Sequence, residues 1–223
     1  MSNSTITKNV KKAAGALLCA AFLGAAPTTT VAQTVALKNF EATKSAVFTP
    51  VYGKALSPIG YVNFCALNSN ECKNLGGTTR QVVLTEKNWK VLHEVNKYVN
   101  KTVAPITDQD LYDVPEFWTY PTGAGDCEDY VLQKKRYLEG LGFPAEILLI
   151  TVVLDENGGG HAVLTVRTDR GDIALDNRRD DIRTWDKTGY TYIKRQAQSN
   201  PNQWVSLTNR GISVALTTAA GKD

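Results

Sequence analysis

An α+β chain is the fold class that the sequence predicts, and three observations carry it. Apolar residues recur at helical spacing over residues 85–103 and again after Cys127. A β-rich run covers residues 146–154, alternation of period two follows from His161, and a two-residue turn at Asp169-Arg170 or Arg170-Gly171 joins two such alternating runs. Helices therefore come first and strands after, which is the α+β order.

Residues 1–32 have the organisation of a secretory signal. Lys8, Lys11 and Lys12 form a positive n-region, residues 13–26 are apolar, and Thr30-Val31-Ala32 supplies a small-residue cleavage site. The apolar run is too short to span a bilayer, and no longer one follows. The expected mature chain is residues 33–223, a single domain of a length that supports a sizeable core, in the periplasm or secreted. The three signal lysines account for the whole formal charge of +3, because no acid precedes Ala32. The remainder is formally neutral, with basic and acidic residues interleaved, which excludes a nucleic-acid footprint.

Cys19 lies in the signal, so three cysteines remain in a compartment that permits disulfides. Cys65 and Cys72 flank a short polar loop and form the natural bridge, which leaves Cys127 over. A lone cysteine is more often a small buried hydrophobe than a reagent. Here the odd count in an oxidising compartment raises the reactive reading above that alternative.

Residues 33–79 carry Pro50, Pro58 and several glycines without sustained periodicity, and are expected to be loop-rich and held by the bridge. A helix follows from Thr85, with Trp89, Leu92, Val95, Val99 and Val103 on one face and Pro105 beyond its end. His93, Asn96, Lys97 and Asn100 fall on its other face, where a histidine is expected to be solvated. Residues 107–125 are polar and read as an extended approach to the cysteine, with Phe117, Trp118 and Tyr120 either capping the core or walling a groove.

In the run Gly125-Asp126-Cys127-Glu128-Asp129-Tyr130, Asp126 is a good N-cap and Asp129 completes a capping-box-like pair. Cys127 then opens a helix, where unpaired backbone N–H groups and the helix dipole favour an anion such as a thiolate. Gly140 or Gly142 ends that helix, with Pro144 beyond. Residues 146–154 form a strand, and His161 opens another in which Ala162, Leu164 and Val166 alternate with His161, Val163 and Thr165. After the turn, a two-residue connection puts Asp176 on the same face as His161. Simple pairing sets Asp176 opposite Val163 or Thr165, so contact with His161 requires a bulge or splay. Asp172, Asp180 and Asp181 are the rival acids. Residues 182–203 are polar and aromatic, and a closing hairpin is expected around Asn209-Arg210-Gly211 with Ile212, Val214 and Leu216 on its far arm.

Thiol, imidazole and carboxylate in the order Cys127, His161, Asp176 make a nucleophile, a base and an orienting acid. The Cys127 backbone N–H is a candidate oxyanion donor. A metal centre of the same three residues lacks close ligand spacing and ranks lower. Hydrolysis, acyl transfer to an amine by a transglutaminase-like route, and a non-catalytic binding role on the same fold are the functions in view. An intact triad argues against the last.

Gly125 to Tyr130, preceded by Trp118 and Pro121, together with His161-Ala162-Val163-Leu164 and Leu175-Asp176-Asn177, resembles the LapG-like bacterial transglutaminase-like cysteine proteinases. The Val95-Asn96 and Val99-Asn100 repeat is similar to that family's pattern as well. The resemblance runs from about residue 85 to the C-terminus. It implies a papain/transglutaminase-like core, with the nucleophile-bearing helix packed on an antiparallel sheet, and cysteine-peptidase chemistry on a protein substrate through Cys127, His161 and Asp176. It also implies a periplasmic address, calcium bound beside the nucleophile, and control by an inner-membrane receptor. Asp126, Glu128 and Asp129 are the residues here that offer calcium its oxygens. Failing calcium, Arg178 or Arg179 is expected to offset their charge.

Overall fold

A computed structural model of the chain describes residues 47–74 and 76–209. The expected signal with Cys19, residues 33–46 and the far arm of the expected closing hairpin lie outside the described residues. Strand β1 (Gly53–Ala55) precedes helix α1 (Ile59–Leu67). Helix α2 (Glu86–Thr102) runs into β2 (Ala104–Pro105) and the short α3 (Asp108–Tyr112), and β3 (Ala124–Gly125) leads into α4 (Cys127–Gly140). Then come β4 (Leu148–Leu154), β5 (Gly160–Thr168), β6 (Gly171–Asp176), β7 (Arg179–Thr184), β8 (Thr191–Ala197) and β9 (Asn200–Ser206).

The long strands form one antiparallel sheet in the order β1-β9-β8-β4-β5-β6-β7. Its helix-facing side carries Ile150, Val152, Ala162, Leu164, Val166, Ile173 and Leu175. These share one core with Leu92, Val95 and Val99 of α2 and Val131, Leu132 and Leu138 of α4. Each of these larger side chains contributes roughly 1.5–3 kcal/mol by leaving water. Val153, Val163, Ala174 and Tyr192 pack on the other face. Two-sided burial explains why β4 reads as a nearly continuous apolar run. No helix among the described residues is long and apolar enough to cross a membrane.

Helix ends follow the local chemistry. The Thr85 side chain accepts from the Asn88 N–H to cap α2. Gly142, at φ +89°, lets the Phe143 N–H reach back to the Leu138 carbonyl at 3.0 Å and close α4.

Two expectations need correction. Residues 33–79 are not loop-rich throughout, because α1 lies within them and buries Gly60, Tyr61 and Phe64. It is short and apolar on most sides, so it shows no helical stripe. A Cβ on Gly60 would lie 2.3 Å from Trp118, which is the reason for a glycine inside this helix. Residues 107–125 are not simply extended, since Thr107 accepts from the Asp110 N–H and starts α3. Among the described residues the last hairpin is β8–β9, which closes at Ala197↔Asn200 within the stretch read as polar and aromatic. Lys194, Arg195 and Gln196 are buried in β8, and their polar side chains hide it from a hydrophobicity reading.

Trp118 and Tyr120 pack edge-on to Tyr61 and Phe64, so these aromatics cap the core. Cys65 and Cys72 are bridged and join the end of α1 to the following loop, which Asn202 of β9 holds through the Cys72 carbonyl at 2.8 Å. Closing so short a loop is worth about 2–3 kcal/mol on a chain-entropy account. We predict that alkylation of the unfolded, unreduced protein followed by peptide mapping labels Cys127, and labels Cys65 and Cys72 only after reduction. Label on Cys65 or Cys72 without reductant would contradict this pairing.

Candidate active site

The thiol is placed by what precedes it. The two-stranded parallel pairing of β2 with β3 ties the exit of α2 to the approach to α4, through Ala104 N–H to Gly123 O at 2.8 Å and Ile106 N–H to Gly125 O at 3.1 Å. Cys127 is the first residue of α4, as its sequence context predicts. Asp126 occupies the N-cap position but makes no side-chain cap bond, which departs from the expected capping pair. Asp129 instead accepts from the Thr119 N–H at 2.8 Å. It packs so closely on Gly125 that a Cβ there would sit 2.4 Å from its carboxylate oxygen.

Cys127 is 6% exposed. Its Sγ donates to Glu128 Oε2 at 3.2 Å and accepts from the Ala162 N–H at 3.3 Å, which seats the start of α4 on the start of β5. Burial, followed by the charges of Glu128 and Asp126, holds the thiol well above its ordinary pKa, against the pull of the Ala162 N–H.

His161 and Asp176 meet as their shared face suggested. The splay that this contact requires is present: the β5–β6 ladder stops at Leu164↔Leu175, and β6–β7 pairing shifts register between Ala174 and Asp176. His161 Nε2 lies 2.9 Å from Asp176 Oδ1, with both side chains buried. The Arg178 N–H donates to the same oxygen at 3.0 Å, and the Tyr190 hydroxyl donates to Oδ2 at 2.7 Å. Burial alone would raise the Asp176 pKa, but His161, Tyr190 and Arg178 outweigh it and hold the carboxyl at about 2.

The other imidazole nitrogen, His161 Nδ1, is buried without a hydrogen-bond partner. His161 and Cys127 line one narrow cleft with Pro105, Thr107, Asn177 and Arg178. The rival acids are engaged elsewhere: Asp172 with Thr49 and Arg167, Asp180 with Asn100, and Asp181 with Arg183. His93 lies on α2 outside this cleft.

Around the thiol, Asp108, Asp126 and Glu128 each bring one carboxylate oxygen to within 4.8 Å of the others. Asp129, expected beside Asp126 and Glu128, is not in that group. Asp108, 18 residues upstream of Asp126, takes its place. Sequence spacing missed Asp108 because α3 folds it back, and the only signal for that turn was the Thr107/Asp110 cap. Asp108 accepts from the Phe117 N–H, and its own N–H points at Asp126 Oδ2 at 3.4 Å.

Asp108 Oδ1, Asp126 Oδ1 and Glu128 Oε1 are buried without hydrogen-bond partners. Burial first, with the neighbouring acids adding to it, raises Asp126 to about 6, Asp129 to about 8 and Glu128 well above the usual carboxylate range. No ion pair found among the described residues reaches these acids. Arg178 pairs with Asp155 at 2.8 Å, and Arg179 approaches Asp176 at 3.8 Å. Neither arginine makes the expected ion pair with the cluster.

The model of the bacterial transglutaminase-like cysteine proteinase family, BTLCP, matches residues 51–211. The chain belongs to this family. It is a cysteine-type peptidase of the transglutaminase-like kind, and its helices on an antiparallel sheet are that family's fold. Solved structures similar to it include calcium-bound LapG of Legionella pneumophila, at 24% identity and TM-score 0.47, covering 58% of this chain and 74% of that one. The EGTA-treated form of LapG from the same organism is similar at 22% identity and TM-score 0.46, with coverages of 55% and 69%. A further LapG structure from Legionella pneumophila gives 22% and 0.46, with 54% and 70%. No match is found among curated proteins.

Behind the BTLCP site, α4 buries Lys134 completely, its Nζ without a hydrogen-bond partner and 5.8 Å from the centre of the Tyr130 ring. Burial lowers its pKa to about 7, although Asp176 and Asp180 pull the other way. The folded value lies below the unfolded one, so between about pH 7 and 10.5 the unfolded chain holds a proton that the folded chain lacks, and stability rises with pH. Below pH 7 the folded state carries the full cost of the buried charge. Lys134→Met should therefore raise the melting temperature by several degrees at pH 6 and by progressively less towards pH 10. Thermal melts of both proteins across that range check the sign, and a stabilisation that grows with pH would contradict it.

Proposed function

We propose that this BTLCP peptidase is exported and hydrolyses a peptide bond of a periplasmic or cell-surface protein through a Cys127–His161–Asp176 triad. The observation that carries the reading is the state of His161. One imidazole nitrogen is bonded to Asp176, and the other is buried without a partner in the cleft that Cys127 lines. The Cys65–Cys72 bridge supports export, because such bridges persist in oxidising compartments.

In the proposed mechanism, His161 Nδ1 takes the Cys127 proton as Sγ attacks the scissile carbonyl carbon. The imidazolium is stabilised by Asp176, which holds Nε2–H and so fixes the tautomer with Nδ1 as base. Collapse of the tetrahedral adduct breaks the C–N bond, and His161 returns the proton to the departing amine. A thioester on Cys127 remains. Water, deprotonated by His161, attacks it, the C–S bond breaks, and the proton returns to the thiolate. The Cys127 N–H, at the first turn of α4, is the proposed donor to the oxyanion.

Calcium fits the chain's own residues. Asp108, Asp126 and Glu128 offer three clustered carboxylates, each with a buried oxygen that has no partner, and oxygen-rich, irregular sites suit this ion. When bound, the ion supplies positive charge against the carboxylate field beside the thiol. Asp129, held by the Thr119 N–H, is not one of the group.

Cys127→Ala and His161→Ala should abolish release of cleaved protein substrate while circular dichroism is unchanged. Asp176→Asn should retain a residual rate about 10⁴-fold down, and His93→Ala should match the parent. An inactive, folded His93 variant would mean that a different base operates. Mass spectrometry of the products separates the acceptors, because amide products without hydrolysis would replace the peptidase reading with acyl transfer.

Treatment with a calcium-selective chelator should lower the melting temperature by several degrees, since an ion at about 100 times its Kd stabilises by about 2.7 kcal/mol. Restored calcium should reverse the drop in the parent and have no effect in Asp126→Asn or Asp108→Asn. An unchanged melting temperature on chelation would remove calcium from the proposal.

A further inference from the structure

Asp176 sits where the sheet does least to hold it. Its β5 neighbour would be Val163, but the β5–β6 ladder has ended one pair earlier, and the β6–β7 register is irregular at the same place. The Asp176 side chain is nevertheless fully committed, to His161, Arg178 N–H and Tyr190 OH. A backbone shift of about an ångström there would degrade all three contacts together.

The missing support comes from α2. Asn100 Nδ2 donates to the Asp176 carbonyl at 3.0 Å, with the Arg179 carbonyl at 3.0 Å and Asp180 Oδ1 at 3.1 Å also in reach. One helical turn earlier, Asn96 Nδ2 donates to the carbonyls of Arg179 at 3.0 Å and Asp180 at 3.1 Å. The i, i+4 spacing sets the two amides on one face of the helix, one above the other. Asn96 is fully buried. Asparagine is a poor helix former and competes with the backbone for hydrogen bonds, so Asn96 and Asn100, both beyond the first two turns of a 17-residue helix, run against local preference. Both Oδ1 atoms are buried without partners, so each side chain is there for its donor end. Asn96 and Asn100, set by periodicity on the face opposite the apolar stripe, are held against β6–β7 by these bonds.

We propose that Asn96 and Asn100 are positioning residues, a pair of amides that clamps the β6–β7 turn from α2 and so holds the Asp176 carboxylate on His161. Its effect on turnover rests on the triad reading; its effect on the His161–Asp176 bond does not.

The chain has two histidines, His93 and His161, so its imidazole N–H proton spectrum is simple to assign. In the full-length protein with His93→Gln, the buried His161 Nε2–H should give one downfield resonance that Asp176→Asn removes. Asn100→Leu should shift this resonance upfield or broaden it away. The same change should lower kcat by about 10- to 100-fold, the size expected for an ångström-scale misplacement, with KM within about twofold. Asn96→Leu should act in the same direction more weakly, and Asn100→Gln, which keeps an amide donor, should recover part of both readouts.

A folded Asn100→Leu that keeps the parental resonance overturns the proposal. Should the leucine variants be unfolded, Asn100→Ser and Asn96→Ser, which remove the reach without adding apolar bulk, are read in the same way. Unfolding of all four would also overturn it, since the amides would then hold the fold and not the acid. A parent without peptidase turnover would defeat the triad reading, while the resonance would still decide the clamp.

Discussion

The 2.9 Å contact between His161 and Asp176 is made beyond the last rung of the ladder that joins their two strands, and much of the surrounding structure answers that constraint. A hairpin with regular pairing would have set the acid opposite Val163, two residues from the imidazole. Ending the β5–β6 pairing early and shifting β6 against β7 lets the carboxylate swing towards His161, at the cost of backbone support. Tyr190 and the Arg178 N–H then saturate the carboxylate from one side, and the α2 amides grip the turn from the other. The acid is held by its own turn at Arg178 and by three segments distant in sequence, at His161, Tyr190 and Asn100.

A second constraint opposes the first. The start of α4 is seated on β5 through the Cys127–Ala162 contact, which brings Asp126 and Glu128 into the interior beside the thiol. A helix N-terminus favours a thiolate, whereas buried carboxylates disfavour it, and burial with the carboxylates sets the direction here. Partnerless oxygens on Asp108, Asp126 and Glu128 mark where positive charge is wanted. Neighbouring Arg178 and Arg179 are spent on Asp155 and Asp176. The same acidic run that starts the nucleophile helix therefore creates the field that the site has to overcome.

Local chemistry determined a good deal of this protein by sequence alone. The cap at Thr85, the start of α4 at Cys127 and the left-handed Gly142 are properties of a few adjacent residues. So are the two-residue turn at Asp169-Arg170 and the parity that puts His161 and Asp176 on one face. The short loop between Cys65 and Cys72 made their pairing legible for the same reason. Where an element is apolar on most sides, as in α1, or buries charged side chains, as β8 does with Lys194 and Arg195, the periodic signal is absent and the element was invisible. Only the tertiary structure decided which distant groups meet. Asp108 joins Asp126 and Glu128, Asn96 and Asn100 face the β6–β7 turn instead of water, and Asp129 turns away to Thr119. Hydrogen bonds and charge act across a few ångströms of space regardless of chain separation, whereas sequence patterns report only neighbours one turn or one pleat apart.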